Sequence, residues 1–255
     1  MVSTVAKIGG AVSNVSGTAT GFGGNVSLSY DAATGAYTVT DATGASAAFL
    51  PASKNLVAST ATISVFERTT GNKTDQLALF NPGAANPKMA LSYVSYGAWQ
   101  QLTNNATTVD VAQQYLLFGV RQAANAPSTG SASYTTIVDG LWANPDGVYA
   151  LGGTSSFTAN FTNMTVATTL SLSGQHITNN QLKSLGLFTG AGTIAALGGG
   201  FSGTFNQQGT AGDGTVYSGG FAGAFFGPQG QEMGYTFSLT TPGGAAAGAV
   251  VGKAN

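Results

Sequence analysis

The second half of the chain alternates apolar and polar positions with a period of two, the mark of strands buried on one face. Phe157, Ala159 and Phe161 share one parity; beyond a turn at Thr162-Asn163, Met164, Val166, Thr168, Leu170 and Leu172 share the other. This predicts a hairpin with its apolar face inward. Phe201, Gly203 and Phe205 then lead to a turn at Gly212-Asp213-Gly214, after which Tyr217, Gly219, Phe221, Gly223 and Phe225 resume. A turn at Gly227-Pro228-Gln229-Gly230 precedes Met233, Tyr235, Phe237 and Leu239, and Pro242-Gly243-Gly244 precedes a closing strand at Ala246–Val251. Strands of this length between Gly, Asp and Pro turns predict an antiparallel barrel or sandwich. Gly alternating with Phe on one face favours closure, because Gly permits curvature and close backbone approach while a neighbouring ring covers the gap.

The first half has the same grammar with less regular spacing. Leu28-Ser29-Tyr30, a turn from Asp31 to Gly35, and Tyr37 with Val39 predict a hairpin. Ile63–Val65 and Leu77–Leu79 flank a polar turn, Thr69 to Thr74, and further strands are expected at Lys88–Gln101 and Tyr115–Arg121. Helix is scarce, with a turn or two expected at Ser53–Val57 or Thr178–Leu187. Gln122–Ser133, with Pro127-Ser128-Thr129-Gly130, reads as a linker. The expectation is an all-β chain of two consecutive domains, 1–130 and 131–255.

Composition narrows the function. Among 255 residues only 8 are Lys or Arg and 9 are Asp or Glu. That 7% charged fraction is far below the roughly 25% of an average globular chain. A net charge of -1 offers no electrostatic footprint for nucleic acid. No apolar run of membrane-spanning length exists. One His and no Cys exclude zinc fingers, iron–sulfur clusters, thiol catalysis and disulfides. Fourteen Phe and nine Tyr argue for a packed core rather than disorder. Absent Cys with abundant Gly, Ser, Thr, Ala and Asn suits bacterial secreted and surface proteins. The segment Met1–Lys7 lacks the charged and apolar regions of a signal peptide.

The C-terminal stretch carries a more specific signal. Gly219-Gly220-Phe221-Ala222-Gly223-Ala224-Phe225-Phe226-Gly227-Pro228 runs directly into Gln229-Gly230-Gln231-Glu232-Met233-Gly234-Tyr235-Thr236-Phe237, and the chain closes on Gly248-Ala249-Val250-Val251-Gly252-Lys253. This resembles the closing hairpin of the barrel in transferrin-binding protein B and related surface lipoproteins, among them factor H binding protein and the haem-binding hemophilins. Tyr93-Val94-Ser95-Tyr96-Gly97-Ala98-Trp99 resembles a strand of the handle domain that precedes those barrels. The resemblance implies an N-terminal β-rich handle domain followed by an antiparallel eight-stranded β-barrel, at the surface of a Gram-negative bacterium or secreted from it. Family members that bind a host protein usually carry long charged loops, which this chain lacks.

Candidate chemistry is sparse. His176, the sole histidine, follows the strand ending at Leu172. It reads as a polar turn residue, or as an axial ligand to haem iron or another metal. Tyr is the other iron ligand in the inventory, and Tyr93, Tyr96 and Trp99 occupy one expected strand. By parity Tyr93 and Trp99 face together and Tyr96 faces away; they read as sheet packing or as an aromatic wall for a flat ligand. The acids fall mostly at expected turns, at Asp31, Asp41, Asp75, Asp146 and Asp213, where turn chemistry accounts for them. No paired-carboxylate, phosphate-loop or catalytic-triad pattern emerges, so catalysis is not expected. The expected function is capture of haem or another iron source as cargo for an outer-membrane transporter. The alternative is a structural or host-protein-binding surface barrel, an adhesin, coat or complement-factor binder, without a small ligand.

Overall fold

The computed structural model describes residues 2–7, 12–17, 26–122, 129–196 and 199–255. Three β layers make up the molecule. A small antiparallel sheet contains β3 (Ser27–Asp31), β4 (Ala36–Thr40) and β5 (Ser46–Phe49). A six-stranded sheet contains β1 (Val2–Lys7), β2 (Val12–Gly17), β6 (Ile63–Thr70), β7 (Lys73–Phe80), β8 (Val94–Asn104) and β9 (Thr108–Gly119), in the order β2-β1-β9-β8-β7-β6. The third layer is a closed barrel of eight antiparallel strands in sequence order. They are β10 (Ser131–Asn144), β11 (Gly147–Asn160), β12 (Thr165–His176), β13 (Leu182–Ile194), β14 (Gly200–Gln208), β15 (Ser218–Phe226), β16 (Glu232–Thr241) and β17 (Gly244–Ala254).

Closure is made by β10 against β17, in register from Tyr134↔Ala254 to Ala143↔Ala245. The barrel, rather than the sandwich that alternation alone allowed, follows from how glycines and rings pair across strands. Gly190 lies opposite Phe205, Gly203 opposite Phe221, Gly223 opposite Tyr235 and Gly248 opposite Phe237. A Cβ on Gly203 would stand 2.5 Å from Phe221 Cζ and 2.2 Å from the Ala191 carbonyl oxygen. Each ring therefore occupies the space its glycine vacates, and the strands coil tightly enough to close.

The interior is one continuous cluster. Phe157, Phe201, Phe205, Phe221, Phe225 and Tyr235 are buried there. Centroid spacings are 5.0 Å for Phe157–Phe201, Phe201–Phe225 and Phe205–Phe221, and 5.2 Å for Phe221–Tyr235. Polar tips of the buried rings find partners, as burial demands. Tyr134 donates to the Gly230 carbonyl at 2.8 Å, Tyr235 pairs with the Thr168 hydroxyl at 2.8 Å, and Trp142 Nε1 donates to Tyr217 at 2.9 Å.

The six-stranded sheet is buried on both faces over the part nearest the barrel and the small sheet. Phe66, Leu77, Leu79 and Trp99 pack beneath Val39 and Phe49 of the small sheet. On the other face, Phe80, Val94 and Tyr96, with Met89 and Leu91 of the loop before β8, pack on the barrel's outer wall at Ala224, Phe226, Ala249 and Val251. The small side chains of Ala224 and Ala249 let the two sheets approach there. β17 thus buries Ala246 and Val250 inward and Ala245, Ala247, Ala249 and Val251 outward.

Several local expectations are corrected or made precise. The strand expected from Lys88 begins only at Val94, so Tyr93 precedes it and escapes the parity argument. At Thr178–Leu187 the structure holds one helical turn and no more: the Asn180 N–H donates to the His176 carbonyl at 3.0 Å, and Leu182 then opens a 13-residue strand. Around Ser53–Val57 a short 3₁₀ turn, Pro51–Ser53, is followed by one helical turn closed by the Ser59 N–H on the Asn55 carbonyl at 3.0 Å. Asp75 lies within β7 rather than in a turn. The middle of the expected linker, 123–128, falls outside the described residues.

Candidate functional site

The residues singled out from sequence are distributed over three surroundings. His176 ends β12, where its Nδ1 accepts from the backbone N–H of Thr178 at 3.1 Å and of Asn179 at 3.4 Å. Its ring stands edge-on to Tyr149, 5.0 Å between centroids. Nε2 lies over Gly147, whose φ of +152° and lack of a Cβ make room for it: a Cβ there would meet Nε2 at 2.2 Å. The imidazole thereby organises the turn between β12 and β13. Among the described residues, no group of three or more His, Asp and Glu side chains gathers as a metal site.

Trp99 is fully buried between the two N-terminal sheets, and its Nε1 donates to Asp75 Oδ1 at 3.1 Å. Asp75 Oδ2 also accepts from Arg68 Nε at 3.2 Å. Tyr96 faces the opposite way, onto the barrel. Tyr93 packs with Tyr96 rather than with Trp99, because it lies ahead of the strand. Of the four residues, then, the fold brings together Tyr93 and Tyr96 and separates both from Trp99 and His176.

The two tyrosines mark a built seam between sheet and barrel. Its centre is Glu232, at the start of β16 and only 5% exposed. Oε1 accepts from the Ser92 N–H at 2.7 Å; Oε2 accepts from the Tyr93 N–H at 2.7 Å and the Val94 N–H at 2.8 Å. One barrel carboxylate so satisfies three successive backbone donors at the entry to β8. The Tyr93 ring lies over Gly227, whose φ of +82° belongs to the turn before β16 and whose missing Cβ would otherwise strike that ring at 2.7 Å.

A second polar contact flanks the first. Lys88 Nζ donates to both carboxylate oxygens of Asp139 at 2.9 and 2.8 Å, and the Tyr96 hydroxyl donates to Oδ2 of the same carboxylate. Burial, reinforced by the negative charge of Asp139, pushes the Tyr96 and Tyr115 hydroxyls well above the ordinary tyrosine range. Sequence reasoning passed over Glu232, Asp139 and Lys88 as seam residues. A signal was present: in a chain with nine acids, a carboxylate inside an apolar strand pattern is rarely ornamental.

Comparison with known proteins agrees with this architecture. The family model for the C-lobe and N-lobe beta barrels of Tf-binding protein B matches residues 97–254. Comparison with curated proteins returns no match. Among solved structures, intact two-lobe Ap-TbpB aligns with a TM-score of 0.53 at 15% identity, covering 99% of this chain and 45% of that one. TbpB isotype 1 from serogroup B Neisseria meningitidis aligns at 0.50 with 18% identity over 83% of this chain and 38% of its own. A TbpB double mutant from Haemophilus parasuis Hp5 aligns at 0.53 with 15% identity over 99% and 44%. The chain spans less than half the length of these relatives. With the family model covering more than half of the chain, this protein belongs to the family of transferrin-binding protein B β-barrels.

Proposed function

We propose that this chain is a non-catalytic, surface-exposed binding protein of a Gram-negative bacterium. It takes an iron-carrying host protein onto its outer surface and presents it to an outer-membrane transporter. The observation that carries this reading is the filled barrel: its interior is a continuous cluster of packed rings, so recognition falls to the exterior. A macromolecule is the natural partner for an exterior site. Solved structures of similar fold include transferrin-binding proteins, in line with that partner class.

The surface carries suitable anchors. Leu56 is 78% and Val57 98% exposed on the loop before β6. Asn55 holds that loop in shape, its Oδ1 accepting from Val57 N–H at 3.1 Å and Ala58 N–H at 3.0 Å. A preformed pair of bare aliphatic side chains supplies apolar contact at little entropic cost. Haem as cargo finds less support, because His176 stands apart from Tyr93 and Tyr96, its Nδ1 accepts from its own turn, and the Tyr96 hydroxyl is engaged by Asp139.

Surface plasmon resonance against immobilised iron-loaded transferrin and lactoferrin, beside a haemin titration, tests the proposal. Saturable binding to a carrier protein, weakened tenfold or more by Leu56→Ser with Val57→Ser, supports it. A saturable one-to-one haemin shift without carrier binding overturns it in favour of haem transport. Silence in both arms leaves a structural surface barrel.

A further inference from the structure

Beyond the edge of the small sheet, the floor of the six-stranded sheet changes character row by row. The row Phe66–Leu77–Trp99 lies under the small sheet's core residues. The next row reads Arg68–Asp75–Gln101–Ala112, and the outermost Thr70–Lys73–Thr103–Asp110. The apolar cover ends where the floor turns polar, and Ala45 and Ser46 form the rim. The resulting groove has a volume of about 610 Å³, within the range of small-ligand sites.

Charge in the groove is arranged unevenly. Asp75 is satisfied by Trp99 and Arg68, so it offsets the arginine; the pair uses Nε and leaves the terminal guanidinium nitrogens outside it. Asp110 accepts from Asn105 Nδ2 at 3.2 Å. Lys73 has no ion-pair partner among the described residues. Lys73 and Asp110 stand on either side of Thr103 in one row, so their backbones are about 10 Å apart, two strand spacings. Between them lies Thr103, with Gln101 in the row behind it. The floor thus offers a free ammonium at one end, a carboxylate at the other, and groups that both donate and accept in the middle.

That combination selects among ligand classes. A compact inorganic anion gains from Lys73 but has no use for Asp110. An apolar or neutral sugar ligand would want an aromatic face, and no aromatic ring lines the groove. A carboxylated sugar matches every part, its carboxylate to Lys73 and its hydroxyls to Gln101, Thr103 and Asp110. We propose that this groove binds a terminal acidic sugar of a glycan. The inference is independent of which protein carries the glycan and of whether an iron carrier is the partner.

The test is a titration of the full chain followed by proton–nitrogen correlation NMR, with the methyl glycoside of N-acetylneuraminic acid as probe. Methyl galactoside and inorganic phosphate serve as comparison arms. The expected result is saturable shifts at Lys73, Gln101, Thr103 and Asp110, with affinity lowered about tenfold by Lys73→Ala and by removal of the sugar carboxylate. Lys73 is exposed, and the dispersion of the spectrum reports that the variant is folded. Absence of saturable shifts, equal response to phosphate, or unchanged affinity of Lys73→Ala would overturn the proposal.

Discussion

The barrel and the N-terminal sheets solve the same problem, a strand with an apolar side, in different ways. The barrel has one inside and, over β11 to β14, one outside in water. β12 accordingly alternates buried and exposed residues almost without exception from Thr165 to Gln175. The six-stranded sheet has two covered faces, one under the small sheet and one on the barrel. β8 is buried from Val94 through Gly97, and alternation disappears. A period of two reports a strand's surroundings as much as its conformation, and it fades wherever a sheet becomes the middle layer. The barrel wall repeats the lesson: β17, covered inside and out, is buried from Gly244 to Gly252.

The largest effect should come from the centre of the barrel. Phe225 is fully buried and touches the rings of Tyr134, Phe157, Phe161 and Phe201. Phe225→Ala should cost about 4 kcal/mol, from lost transfer energy and the cavity left among rings. Urea unfolding followed by tyrosine and tryptophan fluorescence measures it. A loss below about 1 kcal/mol would mean the interior repacks freely, and the contrast with the layered half would dissolve.

What the sequence made legible follows the same division. The hairpin at Thr162-Asn163, the turn at Gly227–Gly230 and the inward Phe and Tyr positions were readable, since each strand there has one dry face. The seam was not. Glu232 acts through backbone donors 138 to 140 positions away, and nothing local to either segment announces the match. β13 escaped because Gly186, at φ +114° beside a bulge, breaks its register midway. Period two places Tyr93 on Trp99's face only if the strand runs back through it toward Lys88, six residues ahead of its start at Val94.

Alkali should separate the two regions next. Burial holds the hydroxyls of Tyr134 and Tyr235 above the ordinary tyrosine range and lifts Tyr217 to about 12. Tyr96 and Tyr115 at the seam are raised as well. In each case the folded state keeps the proton more tightly than the unfolded chain does. The stabilisation is intact below about pH 10 and is lost as pH rises above it, by about 1.4 kcal/mol per tyrosine per pH unit. Three such groups make the barrel lose about 4 kcal/mol per unit. Urea midpoints should fall steeply between pH 9 and 11, with the buried tyrosines ionising only as the protein unfolds. Ionisation of Tyr134 or Tyr235 in the folded protein near pH 10 would contradict this.

The Glu232 clasp decides whether the two regions unfold together. Glu232→Ala leaves the Ser92, Tyr93 and Val94 N–H groups without their acceptor in a mostly buried place, at a cost of about 3 kcal/mol. The expected signature is a thermogram that splits, with the N-terminal sheets melting ahead of the barrel. A single transition at the wild-type temperature would show that apolar contact alone holds the seam.

The Lys88–Asp139 ion pair makes the smallest contribution. Its side chains are 39% and 34% exposed, so solvent screens the attraction and ordering two side chains offsets part of it. Lys88→Met should cost less than about 1 kcal/mol, and the difference should shrink as salt is added. Asp139→Leu should cost more, because the Tyr96 hydroxyl also donates to that carboxylate and would lose its acceptor in a largely buried site. Denaturant curves for both variants at low and high salt measure the pair directly. A Lys88→Met loss as large as that of Glu232→Ala would move the seam's strength from the backbone clasp to the ion pair. It would also predict a seam that loosens in salt, which a neutral-side-chain variant of Glu232 would not.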